Sequence, residues 1–125
     1  MQVLDFIYEQ QGMQRKIMEF LHELMLSHPT VVSKYRYKTA FYYQKNWICY
    51  LNKQKGDRVE LNFIRALELS NENGLLDFRG RKMVAGIMLD DVASIPVEGI
   101  MEIMQEALVL DELVPYKFPG KSKKG

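Results

Sequence analysis

Two groups of side chains have the types and the spacing to do chemistry. Glu98, Glu102 and Glu106 recur every four residues, so on a helix their carboxylates would line one stripe. Glu19 and Glu23 form a second pair, one helical turn apart. Carboxylate oxygens suit a hard metal ion at a surface site. The alternative is the solvent-exposed face of an amphipathic helix, where glutamate is common.

The second group is a basic turn. Arg79, Arg81 and Lys82 surround Gly80, and a glycine there could let backbone amides approach an anion. The planar arginine fork suits carboxylate or phosphate. Polar residues of neighbouring strands complete the predicted ligand-binding set, which is Tyr35, Tyr37, Asn62, Arg65, Arg79, Arg81 and Lys82. The alternative is a solvated turn whose arginines pair with Asp77 and Glu72.

Catalytic motifs are absent from the sequence. It contains no Ser-His-Asp set, no Cys-His pair and no phosphate loop, so we do not expect an enzyme. Cys49 is the single cysteine and lies among aromatic residues, which predicts a buried, inert thiol. A lone cysteine also suits a reducing compartment, and we predict a cytoplasmic protein.

Composition sets limits on partners. The chain has 125 residues, 47% hydrophobic and 26% charged, as in ordinary globular proteins. Its net charge of +1, from 17 basic and 16 acidic residues, gives no support for nucleic acid as a partner. The apolar runs are far shorter than a bilayer span, so no membrane partner is expected.

The periodicity of apolar residues predicts the elements that must position these groups. Residues 11–27 have a helical apolar face, and Ser94 is a candidate cap for a last helix that contains Pro96 in its first turn. Between these helices the period is two. It puts Lys34, Arg36 and Lys38 on one side of a strand and Tyr35 and Tyr37 on the other.

Further strands follow polar turns at residues 44–46 and 54–57. In the strand between these turns, Trp47, Cys49 and Leu51 would share one face, and Ile48, Tyr50 and Asn52 the other. Since both faces are apolar, the pattern does not decide which one is buried. Residues 82–89 form a candidate fourth strand, which Gly86 weakens.

The predicted fold class is α+β. We expect one domain over residues 1–115, an antiparallel sheet of four to six strands with the N- and C-terminal helices packed on one face, and a flexible basic tail at 116–125. The expected core is Ile17, Phe20, Leu24, Trp47 or Ile48, Leu61, Phe63, Ile100 and Met104.

Several segments together are similar to a known family. The residues at 41–43, 47–51, 60–63, 68–71, 74–76 and 80–82 resemble the bacterial YdhG-like family, a domain of unknown function that is related to frataxin by its fold. The resemblance covers roughly residues 11–110. It implies a frataxin-like α+β sandwich, in agreement with the order of elements predicted above.

Two functional hypotheses follow. The first is a non-enzymatic binding or accessory domain for a small anionic molecule or a protein partner, and it leaves a homodimer open. The second comes from the resemblance, which implies a frataxin-like intracellular iron-binding chaperone. Iron would then be held by the carboxylates of Glu19, Glu23, Glu98, Glu102 and Glu106.

Overall fold

Alternating apolar residues in the middle of the chain form a five-stranded antiparallel sheet. Its strands lie side by side in chain order, so each pairs with its sequence neighbour. The structure is a computed structural model that describes residues 1–116. The strands are β1 Val32–Arg36, β2 Thr39–Tyr43, β3 Trp47–Gln54, β4 Arg58–Phe63 and β5 Ala85–Leu89.

The helices are α1 Val3–Tyr8, α2 Gly12–Leu26 and α3 Val97–Leu113. α2 and α3 cover the same face of the sheet: Cys49 of β3 lies with its Sγ 3.6 Å from Sδ of Met25 in α2, and Phe63 of β4 meets Ala107 of α3. The predicted α+β class is confirmed. Among residues 1–116, no helix is long and apolar enough to span a bilayer.

Three elements differ from the expectation. The six-residue helix α1 was not predicted, because it is too short to show a period. α3 begins at Val97 rather than at a Ser94 cap, since Ser94 lies in a separate 3-10 turn that its own hydroxyl ties to the carbonyl of Asp91 at 3.1 Å. β5 begins only at Ala85. Apart from Tyr116, the predicted tail lies outside the described residues.

The predicted core is correct at its centre and shifted at one margin. The buried members are Ile17, Ile48, Leu61, Phe63, Ile100 and Met104. Phe20 and Leu24 are only partly buried at the edge of this core. The most deeply buried face of α2 instead includes Met18, Leu21 and Met25, which are fully enclosed.

A β-bulge separates Trp47 from the rest of its predicted face. Tyr42 pairs with Cys49, but the next residue, Tyr43, pairs with Trp47, so Ile48 is an extra residue in β3. Ile48 therefore enters the core with 4% exposure. The Trp47 ring contacts Tyr43 on the side of the sheet away from the helices. The expectation that Trp47 shares a face with Cys49 is wrong.

The turn between β1 and β2 has an unusual backbone for its sequence. Arg36 pairs with Thr39, which leaves a two-residue turn of Tyr37 and Lys38. Both residues have positive φ, 50° and 65°, a conformation that hairpins usually give to asparagine and glycine. The turn also breaks the predicted alternation, in which Tyr35 and Tyr37 share one side of the strand. Tyr35 packs on Phe6 of α1, whereas the Tyr37 ring lies on the opposite face of the sheet.

Relieving this turn should stabilise the protein. A Tyr37→Asn and Lys38→Gly double variant should raise the free energy of unfolding by about 1–2 kcal/mol, because it supplies residues that tolerate positive φ. Urea denaturation measures the change. The matched control is Tyr37→Ala with Lys38→Ala, which removes the same side chains but keeps the strain, and it should not be stabilised. A double variant no more stable than wild type would contradict this explanation.

Candidate functional site

The sheet face opposite the helices carries a cluster of aromatic rings on the β1–β2 turn, β2 and β3. We call the rings of Tyr37, Phe41, Tyr43, Trp47 and Tyr50 the aromatic face. Phe41 lies at its centre, stacked on Tyr50 at a centroid distance of 4.8 Å. Trp47 and Tyr37 meet Phe41 edge-on at 5.2 and 5.5 Å. The rings thus shield Phe41, which is 7% exposed, while Tyr37 at the rim is 80% exposed.

A groove runs along one end of the aromatic face. It has a volume of about 250 Å³ and is lined by Lys34, Tyr43, Lys45, Asn46 and Trp47; we call it the Trp47 groove. Nζ of Lys34 lies 4.9 Å from the centroid of the Tyr43 ring, a cation–π contact. The Lys45 ammonium pairs with Glu112 at 3.1 Å, but both side chains are more than half exposed, so this pair contributes little.

The carboxylate of Asp111 fixes the turn that forms this groove. It is 3% exposed and accepts four hydrogen bonds, from the side chain of Gln44, the amide of Lys45 and the amide and side chain of Asn46, at 2.8–3.0 Å. Burial alone would raise the pKa of Asp111, but these hydrogen bonds lower it below its ordinary value. Through them α3 holds Lys45 beside Trp47.

Removing the charge of Asp111 should loosen the groove. Asp111→Asn should lower the free energy of unfolding by about 1–3 kcal/mol, because two backbone donors and two side-chain donors lose a charged acceptor. Urea denaturation measures the loss, and Trp47 fluorescence should shift to longer wavelength. Glu112→Gln, at the exposed neighbouring position, is the control and should change neither. A fully stable Asp111→Asn protein would show that α3 does not hold the turn.

At the other end of the same sheet face lies a buried ion-pair network. Glu60 of β4 is 1% exposed and meets Nη2 of Arg81 at 2.8 Å and Nη1 of Arg79 at 3.3 Å. Nη1 of Arg81 also donates to Oδ1 of Asn62 at 3.3 Å. Gly86 of β5 leaves room for this network, since a Cβ there would overlap the side chains of Asn62 and Glu60.

The network closes the loop between β4 and β5 over the sheet. Backbone hydrogen bonds between Asp77 and Gly86 cover part of the outer edge of β5. Burial alone would raise the pKa of Glu60, but the hydrogen bond and charge of Arg81, with Arg79 and Asn62, lower it below its ordinary value. Glu60 therefore stays ionised and holds residues 77–82 in place.

Acid should release this loop. Because the pKa of Glu60 is lower in the folded protein, its stabilising effect is fully present above about pH 4.5 and is lost as the pH falls through the folded value. Glu60→Gln should cost about 1–3 kcal/mol at neutral pH, because two partly exposed arginines lose a charged acceptor, and it should flatten the acid dependence. Denaturation at several pH values measures both effects. Glu98→Gln, which removes an exposed carboxylate, is the control. An unchanged acid dependence in Glu60→Gln would contradict the assignment.

The predicted ligand-binding residues lie in several separate places. Asn62, Arg79 and Arg81 come together, but both arginines pair with Glu60 rather than with Asp77 and Glu72. Glu60 alternates with Val59 and Leu61 along β4, a pattern typical of a strand with one polar face, so the sequence does not show that a distant loop buries it.

The other predicted residues are distributed around the sheet. Arg65 donates to Glu68 at 2.7 and 2.9 Å and to the carbonyl of Val114 at 2.8 Å. Tyr35 lies on the helix side. Tyr37 belongs to the aromatic face, and Lys82 is exposed in the loop. The structure therefore does not bring the whole predicted set together around one pocket.

The predicted metal-binding carboxylates mostly contact the chain itself. Glu106 accepts from the amide of Ser70 at 2.7 Å, Glu102 from the Asn73 side chain at 3.0 Å, and Glu19 from Arg15 at 3.2 Å. Glu23 and Glu98 are exposed. Within the described part of the chain, no three His, Cys, Asp or Glu side chains are grouped to hold a metal ion.

Charge is divided between the two layers of the fold. α3 carries five acidic residues and no lysine or arginine. Within residues 1–116, Glu60 is the only acidic residue of the five strands, and it is already paired with two arginines. Lys34 and Arg36 lie on the same side of β1, next to the aromatic face. The small net charge conceals a basic sheet layer and an acidic helix layer.

Comparison with protein-family models, curated proteins and solved structures gives no significant match to this chain. The resemblance to the YdhG-like family therefore stays a prediction. Of the aromatic face and the Trp47 groove, only Tyr37 was among the residues predicted from the sequence. Phe41 and Tyr43 alternate along β2, but Trp47 joins their face only through the bulge, which the alternation does not show.

Proposed function

We propose that this protein is a non-enzymatic binding domain that holds a small anionic molecule carrying an aromatic ring. The observation that supports this is the lining of the Trp47 groove, to which two lysines and two aromatic residues contribute. The lining is suited to charge pairing and stacking. The proposal keeps the class of ligand expected from the sequence and moves its site from the arginine turn to the opposite end of the sheet.

Each group in the groove has a defined part. The ligand ring stacks against Trp47 or Tyr43, and its anionic group lies between Lys34 and Lys45. Lys45 can exchange its exposed partner Glu112 for a ligand anion at small cost. A volume of about 250 Å³ is below that of sites for drug-sized molecules, so the groove takes one ring with one anionic group.

A cytoplasmic location is part of the proposal and depends on the single cysteine. Cys49 is fully buried, and burial raises the pKa of its thiol, so it remains protonated and inert. Iron is not part of the proposal, because no contact of the described residues favours an iron site over the surface role of the glutamates.

The only tryptophan of the chain gives a direct test. Phenyl phosphate, which combines a ring with an anion, should change the Trp47 fluorescence and bind more tightly than either phenol or inorganic phosphate. Lys34→Gln should weaken phenyl phosphate about tenfold, the usual effect of losing a charged contact. Lys53→Gln makes the same change of charge on the helix side of β3 and is the matched control.

Two results would reject this function. One is the absence of any fluorescence or NMR response to phenyl phosphate. The other is an equal loss of affinity in Lys34→Gln and Lys53→Gln, which would show that binding depends on overall charge and not on the groove.

A further inference from the structure

We infer that the aromatic face binds single-stranded nucleic acid, with Trp47 and Tyr43 holding one nucleotide and Tyr37 another. This inference rests on the proposed function, because a nucleotide is itself a ring joined to an anion. It goes further in naming the ligand as a polymer of such units.

The distance between the exposed rings favours a polymer. Tyr37 is at the β1–β2 turn and Trp47 is at the β2–β3 turn, so they mark opposite ends of β2. Both rings contact Phe41, which lies between them, so their centroids are no more than about 11 Å apart. A single ligand ring stacked in the Trp47 groove does not also stack on Tyr37, whereas successive nucleotides of one strand can stack on both.

The side chains next to the rings provide the charge. Lys34 and Arg36 lie along β1, Lys38 is at the turn beside Tyr37, and Lys45 is at the other end. These cations border the rings from end to end, as a phosphate backbone would require. Net charge argued against nucleic acid, but it sums this layer with the acidic helix α3 on the opposite face. That helix would direct a polyanion to the aromatic face.

The strained turn is the second, independent observation. Tyr37 and Lys38 adopt positive φ, which is unfavourable for both residue types, and the Tyr37 ring remains 80% exposed. Core packing does not account for an exposed ring on a strained backbone. Residues held in such conformations concentrate at ligand-binding sites. Here the strain places one ring and one ammonium group at the end of the ring array.

A single strand fits this surface better than a duplex does. Rings on a sheet can stack only on bases whose faces are free, and paired bases already stack on one another. The aromatic face would contact bases by stacking, and the neighbouring cations would contact phosphate by charge. Binding should therefore show little preference for base sequence.

Fluorescence anisotropy with labelled oligothymidylate of about 12 nucleotides tests the inference, and oligouridylate of the same length separates DNA from RNA binding. Wild type should bind either oligomer at least tenfold more tightly than thymidine monophosphate and than a duplex of equal length. A plot of log K against log salt should have a negative slope. The magnitude of this slope should be smaller by about 0.7 in Lys34→Gln and unchanged in Lys53→Gln.

The Tyr37→Asn and Lys38→Gly variant separates binding from folding. It should be more stable than wild type and yet bind the oligomer about tenfold more weakly. Because its fold is strengthened, weaker binding cannot be ascribed to unfolding.

The possible failures can be told apart. If thymidine monophosphate binds as tightly as the oligomer, the polymer inference is rejected and the proposed function stands. If neither binds and phenyl phosphate also fails, both are rejected. Self-association that buries the aromatic face, seen by sedimentation and lost in the Tyr37→Asn and Lys38→Gly variant, would overturn the inference in favour of a second copy of the chain.

Discussion

In the part of the chain that the structure describes, helices cover only one face of the five-stranded sheet, and most features of the other face follow from this constraint. Apolar and charged groups on the uncovered face have to shield one another. At the β1–β3 end, the rings of Tyr37, Trp47 and Tyr50 contact Phe41. At the β4–β5 end, Glu60 is enclosed by Arg79, Arg81 and the loop that bears them. One half of the face is thus covered by an ion-paired loop, and the other half is covered only by its own rings.

The helix layer and the sheet layer are joined by a side chain that lies outside the hydrophobic core. Asp111 extends from the acidic helix α3 to the turn that precedes Trp47, and its four hydrogen bonds set the geometry of the groove. The helix layer therefore shapes the Trp47 groove without lining it. The same helix adds negative charge on the far side, so the protein has an electrical polarity that its net charge of +1 does not report.

Period and composition were enough to predict the fold class, the order of the sheet and its two longer helices, and most of the core. Alternation in β4 and helical spacing in α2 and α3 are local properties, and burial of one face enforces them. The errors arose where one residue breaks the period. The bulge at Ile48 moves the Trp47 ring to the face opposite to the one that strict alternation predicts. The left-handed backbone at Tyr37 does the same to the Tyr37 ring.

The candidate site was harder to predict than the fold. The arginine turn was recognised as basic, but its partner Glu60 lies 21 residues away in sequence from Arg81, and only the folded loop brings them together. The lysines of the Trp47 groove come from β1 and from the β2–β3 turn, which become neighbours only through strand pairing. Charge patterning along the chain likewise does not show that basic and acidic residues separate into layers.

The order of the strands has a consequence for how the chain folds. Since β1 to β4 follow one another through short turns, three of the four strand pairings join close sequence neighbours. Such contacts cost little loop-closure entropy and form quickly. The pairing of β4 with β5 is different, because residues 64–84 must first be closed into a loop. We expect the first four strands to assemble early and the addition of β5, with the burial of Glu60, to limit the folding rate.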